Sequence, residues 1–343
     1  MEDTLHKIVT PARLLRVTIL FSLAFVFVVV IAILVGPSEI APLEILRSIF
    51  RDRQGADAAA DPGRTILFSI RIPRILFAGI VGAALSTAGV VYQALLRNPL
   101  ADPYILGVSG GASAGAVAGI LLGASTVPFG TPLLAFTGAL AATFLVFGTA
   151  RKNASLSSNT LILAGVIVNA FTSALVFFFL SISSSSEVHN VVFWIMGDLG
   201  IASEKDIGLV ALVLLAAFIL IYAHARSLNL LVVGEETALR LGVSVESTKK
   251  ILLAAASVLT AAAVSFCGTI GFVGLIIPHM MRMLLGADHR LLLPASLLFG
   301  GAFLIAADTL SRTLLAPSEM PVGVVTAFCG APFFIYLLRK RSA

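Results

Sequence analysis

Residues Arg71–Gly123 read RIPRILFAGIVGAALSTAGVVYQALLRNPLADPYILGVSGGASAGAVAGILLG. Arg71 and Arg74 open the stretch. The 22 uncharged residues Ile75–Leu96 follow, then a turn with two X-Pro steps, Asn98-Pro99 and Asp102-Pro103. Glycines then recur at every fourth position: Gly107, Gly111, Gly115, Gly119 and Gly123. A run of about 20 apolar residues is the length of a helix that crosses a bilayer core. Proline fixes φ and restricts the residue before it, so the turn is rigid. Residues four apart share a helix face, so the glycines form one stripe. Hydrophobic drive between helices is weak in lipid, and such stripes let backbones approach closely. The stripe reads first as packing of one helix inside the molecule and second as a lining past which a bulky ligand slides. A charged clamp, a spanning helix, a rigid turn and a close-packing helix imply a membrane machine with moving parts rather than an anchor.

Composition carries the same class outward to the rest of the chain. The 343 residues are 58% hydrophobic and 12% charged, about half the charge of a soluble domain. Runs of spanning length recur at Val17–Ser38, Ile207–Ala225, Leu291–Ala307 and Met320–Leu338. Longer runs break at Val127–Pro132 and at Gly268–Gly271. The fold class is therefore an all-α polytopic membrane protein with about ten spans, near 14–35, 72–96, 104–123, 132–150, 159–182, 207–225, 248–267, 272–285, 291–311 and 322–339. It forms one domain, 1–343, with an outer segment near 38–70 and an inner loop near 234–247. The first run exceeds the core of a signal peptide, and no A-x-A site directly follows it. Cys267 and Cys329 lie inside apolar spans, which leaves no disulfide framework and no metal-ligand spacing.

An even number of spans places both termini on one side. If that side is the cytoplasm, inner segments hold 15 of the 23 basic residues, as the positive-inside rule requires. Charges at membrane edges, rather than on one face, exclude nucleic acid as the partner. No Gly-Lys dipeptide occurs, so the phosphate loop G-x-x-x-x-G-K-[ST] is missing and the chain is not itself an ATPase. Every Asp and Glu lies in a loop or near a span end. That argues against the intramembrane carboxylate relay of proton-coupled carriers. If the protein pumps, its energy comes from another subunit.

Between spans 6 and 7, Gly234 and Gly242 bracket a short amphipathic helix, Glu235 to Leu241. Its apolar members Ala238, Leu239 and Leu241 cannot enter lipid beside Glu235, Glu236 and Arg240. It is either an ordinary interfacial helix or a surface for a partner protein. The pattern Gly234-Glu235-Glu236-Thr237-Ala238-Leu239-Arg240-Leu241-Gly242 resembles the coupling loop of ABC-importer permeases. Arg71-Ile72-Pro73-Arg74, Asn98-Pro99-Leu100-Ala101-Asp102-Pro103, Gly107–Ala112, Gly271–His279 and Glu319–Thr326 resemble one branch, the iron-siderophore, haem and cobalamin uptake permeases. The resemblance covers nearly the whole chain after residue 70, is specific for the family, and leaves the cargo open.

That resemblance implies a homodimer of ten-helix permeases in the bacterial inner membrane, termini cytoplasmic, with two ATPase subunits below and a periplasmic binding protein above. The permease binds no cofactor or metal, and ATP with Mg is used by the partner. Arg71, Arg74 and Arg312 would meet glutamates of the binding protein; headgroup anchoring and a local Arg312–Asp308 pair are the alternatives. Asn98, Leu100, Ser158 and Asn159, beside Ser157 and Thr160, would form the cytoplasmic gate. Gly165, Asn169, Thr172 and Ser173 would line the path or act as interhelical glue. Glu235, Glu236, Ala238, Leu239, Leu241 and Gly242 would couple to the ATPase. His279 reads as a haem ligand or, more simply, a helix-end polar residue; Arg282 should reach the cytoplasmic rim. Trp194 should sit at the outer membrane interface. The rival classes are a secondary carrier or channel working alone, and a membrane receptor for an extracellular protein.

Overall fold

The computed structural model describes residues 9–37, 62–152, 155–156, 158–200 and 202–342. Lys7, Ser157 and most of the outer segment, 38–61 with Arg47, Arg51 and Arg53, lie outside the described residues. The helices are α1 Pro11–Leu34, α2 Ile72–Leu95, α3 Val108–Leu121, α4 Gly130–Ala150, α5 Ser158–Ile182, α6 Ser185–Met196, α7 Glu204–Ala223, α8 Ala225–Val233, α9 Glu235–Arg240, α10 Val245–Cys267, α11 Val273–Leu285, α12 His289–Thr313 and α13 Val322–Ser342. A two-residue hairpin, Arg151–Lys152 with Ser155–Leu156, joins α4 to α5. Among the described residues, seven helical segments are long and apolar enough to cross a membrane: α1, Gly63–Leu95, α4, α5, α7, α10 and α12. Val108–Leu121, Val273–Leu285 and Val322–Tyr336 are shorter and apolar.

Helix α2 is the hub, packed against α12, α10, α11 and α7. Small residues make this possible. A Cβ on Gly82 would strike the Gly300 carbonyl of α12, and one on Gly89 would strike the Gly274 carbonyl of α11. Two polar pairs tie this core, where an unpaired buried group is costly. The Tyr92 and Ser257 hydroxyls share a hydrogen bond of 2.8 Å, and Gln93 Nε2 donates to Leu275 O at 2.9 Å.

The span expected at 104–123 is not one helix. The Asp102 carboxylate caps a 3-10 turn, Pro103–Leu106, by accepting from Tyr104 N–H. Gly107 then takes a left-handed φ of 82°, a conformation nearly reserved for glycine, and α3 begins. Gly111 and Gly115 lie so close to α4 that a Cβ would meet the Gly138 and Leu134 carbonyls. The glycine stripe is thus the α3–α4 contact, and Gly123 faces open space.

Trp194 corrects an expectation, because it is buried rather than interfacial. The end of α6 docks on the break between α10 and α11, where Asp198 N–H donates to Cys267 O at 2.8 Å. That contact turns the indole inward.

Helix ends fall into two levels. Arg13 at the start of α1 donates to Leu285 O at the end of α11. Asn229 of α8 donates to Asp288 and accepts from His289 N–H at the start of α12. The end of α2 belongs to the same level. Its start belongs to the other, with the ends of α1 and α12.

Candidate functional site

The level at the start of α2, which the sequence reading takes as the outer one, brings all three sequence-predicted arginines together. Arg71 ends a π-helical turn, Ile66–Arg71, that runs into α2. Its Nη1 donates to Ile33 O at the end of α1 at 3.0 Å. Arg74 Nε and Arg312 Nε each lie 3.0 Å from one oxygen of Asp308, whose side chain is 1% exposed. Arg74 Nη1 also reaches Glu319 Oε2 at 2.8 Å. Arg71 and Arg312 are each only 3% exposed. Arg74 and Arg312 thus share Asp308, Arg74 adds Glu319, and Arg71 beside them holds the end of α1, so the cluster ties α1, α2, α12 and the segment before α13. The local Arg312–Asp308 pair is present. Arg74, against half-exposed Glu319, is the member nearest a surface.

At the opposite level, which the sequence reading takes as the inner one, α9 has two faces. Ala238 is buried, and Glu235 turns inward, with Oε1 3.2 Å from Lys249 Nζ and 3.7 Å from Arg97 Nη2. Leu239 and Leu241 are 63% and 62% exposed. Between them the outer face carries a Glu236–Arg240 pair at 2.6 Å. Gly242, at φ 85°, ends the helix with nothing near its Cα hydrogens. Of the six residues expected to meet an ATPase, Glu236, Leu239 and Leu241 face outward; Glu235 and Ala238 serve the permease interior.

The proline turn lies beside α9. Asn98 Oδ1 accepts from Leu100 N–H at 2.9 Å, and Ala101 N–H donates to Asn98 O at 3.0 Å. Leu100 is exposed. Burial pushes the Asp102 carboxyl up to about 6, against the lowering effect of its bond from Tyr104 N–H. Ser158, the first residue of α5, donates to Leu95 O in the last turn of α2 at 3.3 Å, and Asn159 is exposed. The start of α5 therefore touches the last turn of α2, just before the proline turn.

Span 5 is corrected in part. Gly165 abuts the Ile105 carbonyl, Asn169 Nδ2 donates to Tyr104 O at 3.2 Å, and Thr172 is buried against Gly110 of α3. These three are interhelical contacts, and only Ser173 is exposed. The reason is register: the polar stripe of α5 fits the kink at Gly107, which turns the Tyr104 and Ile105 carbonyls toward it. An apolar groove of 500 Å³ lies instead between α6 and α13, lined by Met196, Thr269, Gly323, Val324, Ala327 and Phe328. His279 is buried with its ring 6.0 Å from Phe334 of α13. Arg282 corrects another expectation: it turns inward, and its Nη1 donates to Gln93 Oε1 of α2 at 2.9 Å. Gln93 is the reason, a buried amide whose oxygen needs a donor. No group of three His, Cys, Asp or Glu fit to hold a metal occurs among the described residues.

Residues 24–340 match the FecCD transport family over nearly all of the chain. The chain belongs to the FecCD transport family. Among its relatives, the cobalamin import system permease protein BtuC of Halobacterium salinarum is 49% identical over 282 residues, 82% of this chain and 75% of that protein. The hemin transport system permease protein HmuU of Yersinia pestis is 42% identical over 287 residues, 81% of this chain and 84% of its own length. A solved metal-chelate type ABC transporter in an inward-facing conformation superposes with TM-score 0.82 at 31% identity, covering 95% of this chain and 99% of its own. FecCD membership and the fold thus agree on a membrane-spanning permease.

Within this FecCD chain several contacts had no sequence signal, although i,i+4 spacing did mark the Arg312–Asp308 pair. Asp308 and Glu319 stand far from Arg74 in sequence, and only tertiary packing joins them. Arg97 and Lys249 looked like ordinary inner-side charges. Two Gly-x-Ser-x-Gly runs, around Ser109 and Ser113, lie at the start of and within α3. They are not the strand-to-helix elbow that a nucleophilic serine needs.

Proposed function

We propose that the chain is the permease of an ATP-driven importer for a bulky metal chelate, cobalamin first and haem second. It works as a homodimer of ten-helix protomers in the inner membrane, termini cytoplasmic. The observation that carries this reading is α9. It leaves Leu239 and Leu241 bare beside a charged pair at a level where lipid cannot cover them. An apolar patch rimmed by charge is the mark of a protein-docking face, and two ATPase subunits fit there. They use ATP with Mg; the permease itself holds no cofactor. On the opposite level a periplasmic binding protein docks near Arg74, with Arg71 and Arg312 behind it supplying positive field. Salt therefore weakens that docking.

ATP closes the ATPase pair and moves α9. The Asn98–Pro103 turn and the Ser158–Asn159 start of α5 then open or shut the inner end of the path. The path runs along the outer face of α5 that carries Ser173, and along the groove between α6 and α13. The cargo order follows the relatives, one named for cobalamin and one for hemin, both metal chelates of large flat ligands.

The test is co-purification and stimulated hydrolysis. Leu239→Asp with Leu241→Asp should abolish ATPase capture and leave the melting temperature of the isolated permease unchanged, because both side chains face solvent. In the intact reconstituted complex, cobalamin-loaded binding protein should stimulate hydrolysis more than haem-loaded. Transport by the purified chain alone in an ion gradient would establish a secondary carrier instead.

A further inference from the structure

Helix α2 ends in a cap whose left-handed position is filled by Arg97. Asn98 N–H donates to Gln93 O at 3.2 Å and Arg97 N–H donates to Ala94 O at 3.3 Å, while Arg97 has φ 47°. This is the double bond pattern of a Schellman motif, in which that position normally belongs to glycine. A side chain in the left-handed region persists where surrounding structure over-determines it.

The guanidinium supplies the determinant. Arg97 Nε donates to Leu231 O of α8 at 3.2 Å, and Nη2 lies 3.7 Å from Glu235 Oε1 at the start of α9. The same oxygen lies 3.2 Å from Nζ of Lys249, which is buried in α10. One carboxylate oxygen thus joins three parts: the turn that follows α2, the short helix with the bare leucines, and the second turn of α10. Glu235 is turned away from the face carrying Glu236, Leu239 and Leu241.

We propose that Arg97 and Glu235 are positioning residues that carry motion of α9 into the Asn98–Pro103 turn, with Lys249 as the fixed point. The linkage rests on the reading of α9 as ATPase-facing and of the turn as a gate. Displacing α9 displaces the Glu235 carboxylate and draws Arg97 with it. Pro99 and Pro103 fix their own φ and restrict Asn98 and Asp102 before them, so the pull reaches Leu100 rather than dissipating.

Arg97→Gly separates linkage from folding, because glycine relaxes the left-handed backbone while removing the guanidinium. The experiment uses the permease assembled with its ATPase in liposomes, in a Cys329→Ser background that leaves only buried Cys267. Leu100→Cys reports gate exposure through its thiol-labelling rate, with and without trapped nucleotide. The unmodified linkage should change that rate by about five-fold or more, the low end of ordinary coupling between sites. Arg97→Gly should melt no lower than its parent yet lose the nucleotide response, Glu235→Gln should lose it from the other side, and Arg97→Lys should retain it. A full response in both Arg97→Gly and Glu235→Gln would overturn the linkage alone. No nucleotide response in the parent would overturn the gate reading and the linkage together.

Discussion

The two ends of α2 carry charge in opposite ways. At the outer end, Asp308 is sealed between Arg74 and Arg312, and two of the three arginines are almost wholly covered. At the inner end, the Arg97–Glu235 pair is about half exposed, and the helix beside it leaves leucines in solvent. The outer cluster is complete within the chain: it locks four segments before any partner arrives. The inner cluster is unfinished, with weak ties and an uncovered face. A docking platform needs the first property, because binding energy spent on ordering is lost. A moving joint needs the second.

Removing the central outer carboxylate gives the largest expected effect. Asp308→Ala leaves Arg74 and Arg312 without their shared partner in a buried site, which costs about 3–5 kcal/mol. The yield of monodisperse permease in detergent should collapse; a normal yield would mean that water or lipid headgroups already serve these arginines.

The next effect lies at the inner level. Burial alone would raise the Asp288 carboxyl, but hydrogen bonds from Arg290 and Asn229 outweigh it and hold it down to about 2. A depressed carboxylate stabilises the fold above its unfolded value of 3.8, and that contribution is lost as pH falls through about 2. Partial exposure reduces it to about 1 kcal/mol. Asp288→Asn should therefore melt lower than the parent at pH 7, with the gap closing below about pH 4.

The smallest effect returns to the outer end. Glu319 is 48% exposed, so Glu319→Gln should cost no more than about 0.2–1 kcal/mol of stability. It also frees one nitrogen of Arg74. Binding-protein affinity should then rise or hold, and a large fall would show that Glu319 itself belongs to the docking surface.

Most helices were legible in the sequence because length and apolarity suffice to mark a span. The short helix from Glu235 was legible because glycines bracket it. Burial was not legible, for a reason peculiar to lipid. Helix α1 has the highest mean hydropathy of the spans, 3.1, and only 6% of it is buried; Gly63–Leu95 has 2.0 and is 89% buried. Lipid tails are as apolar as leucine, so hydrophobicity points toward lipid and small polar residues toward the core. Ser86, Thr87 and Gln93 of α2 fit that rule. The same blindness hid the covered state of Arg71 and Arg312 and the inward turn of Gly165, Asn169 and Thr172. Periodicity shows that residues share a face, but not what that face meets. The left-handed Arg97 carries no sequence mark at all, since its conformation is set by groups on α8 and α9.

The encirclement of α2 has a consequence for how such a chain diverges. A helix with neighbours on every side has no face on which substitutions accumulate freely, because close-packed interiors resist even a single added methylene. Helix α1, little of which is buried inside the protein, can exchange one apolar residue for another at little cost. Relatives that carry different cargoes should therefore differ most on α1 and the lipid faces of α5 and α7. In α2 they should change only in concert with the residues that α10, α11 and α12 press against it.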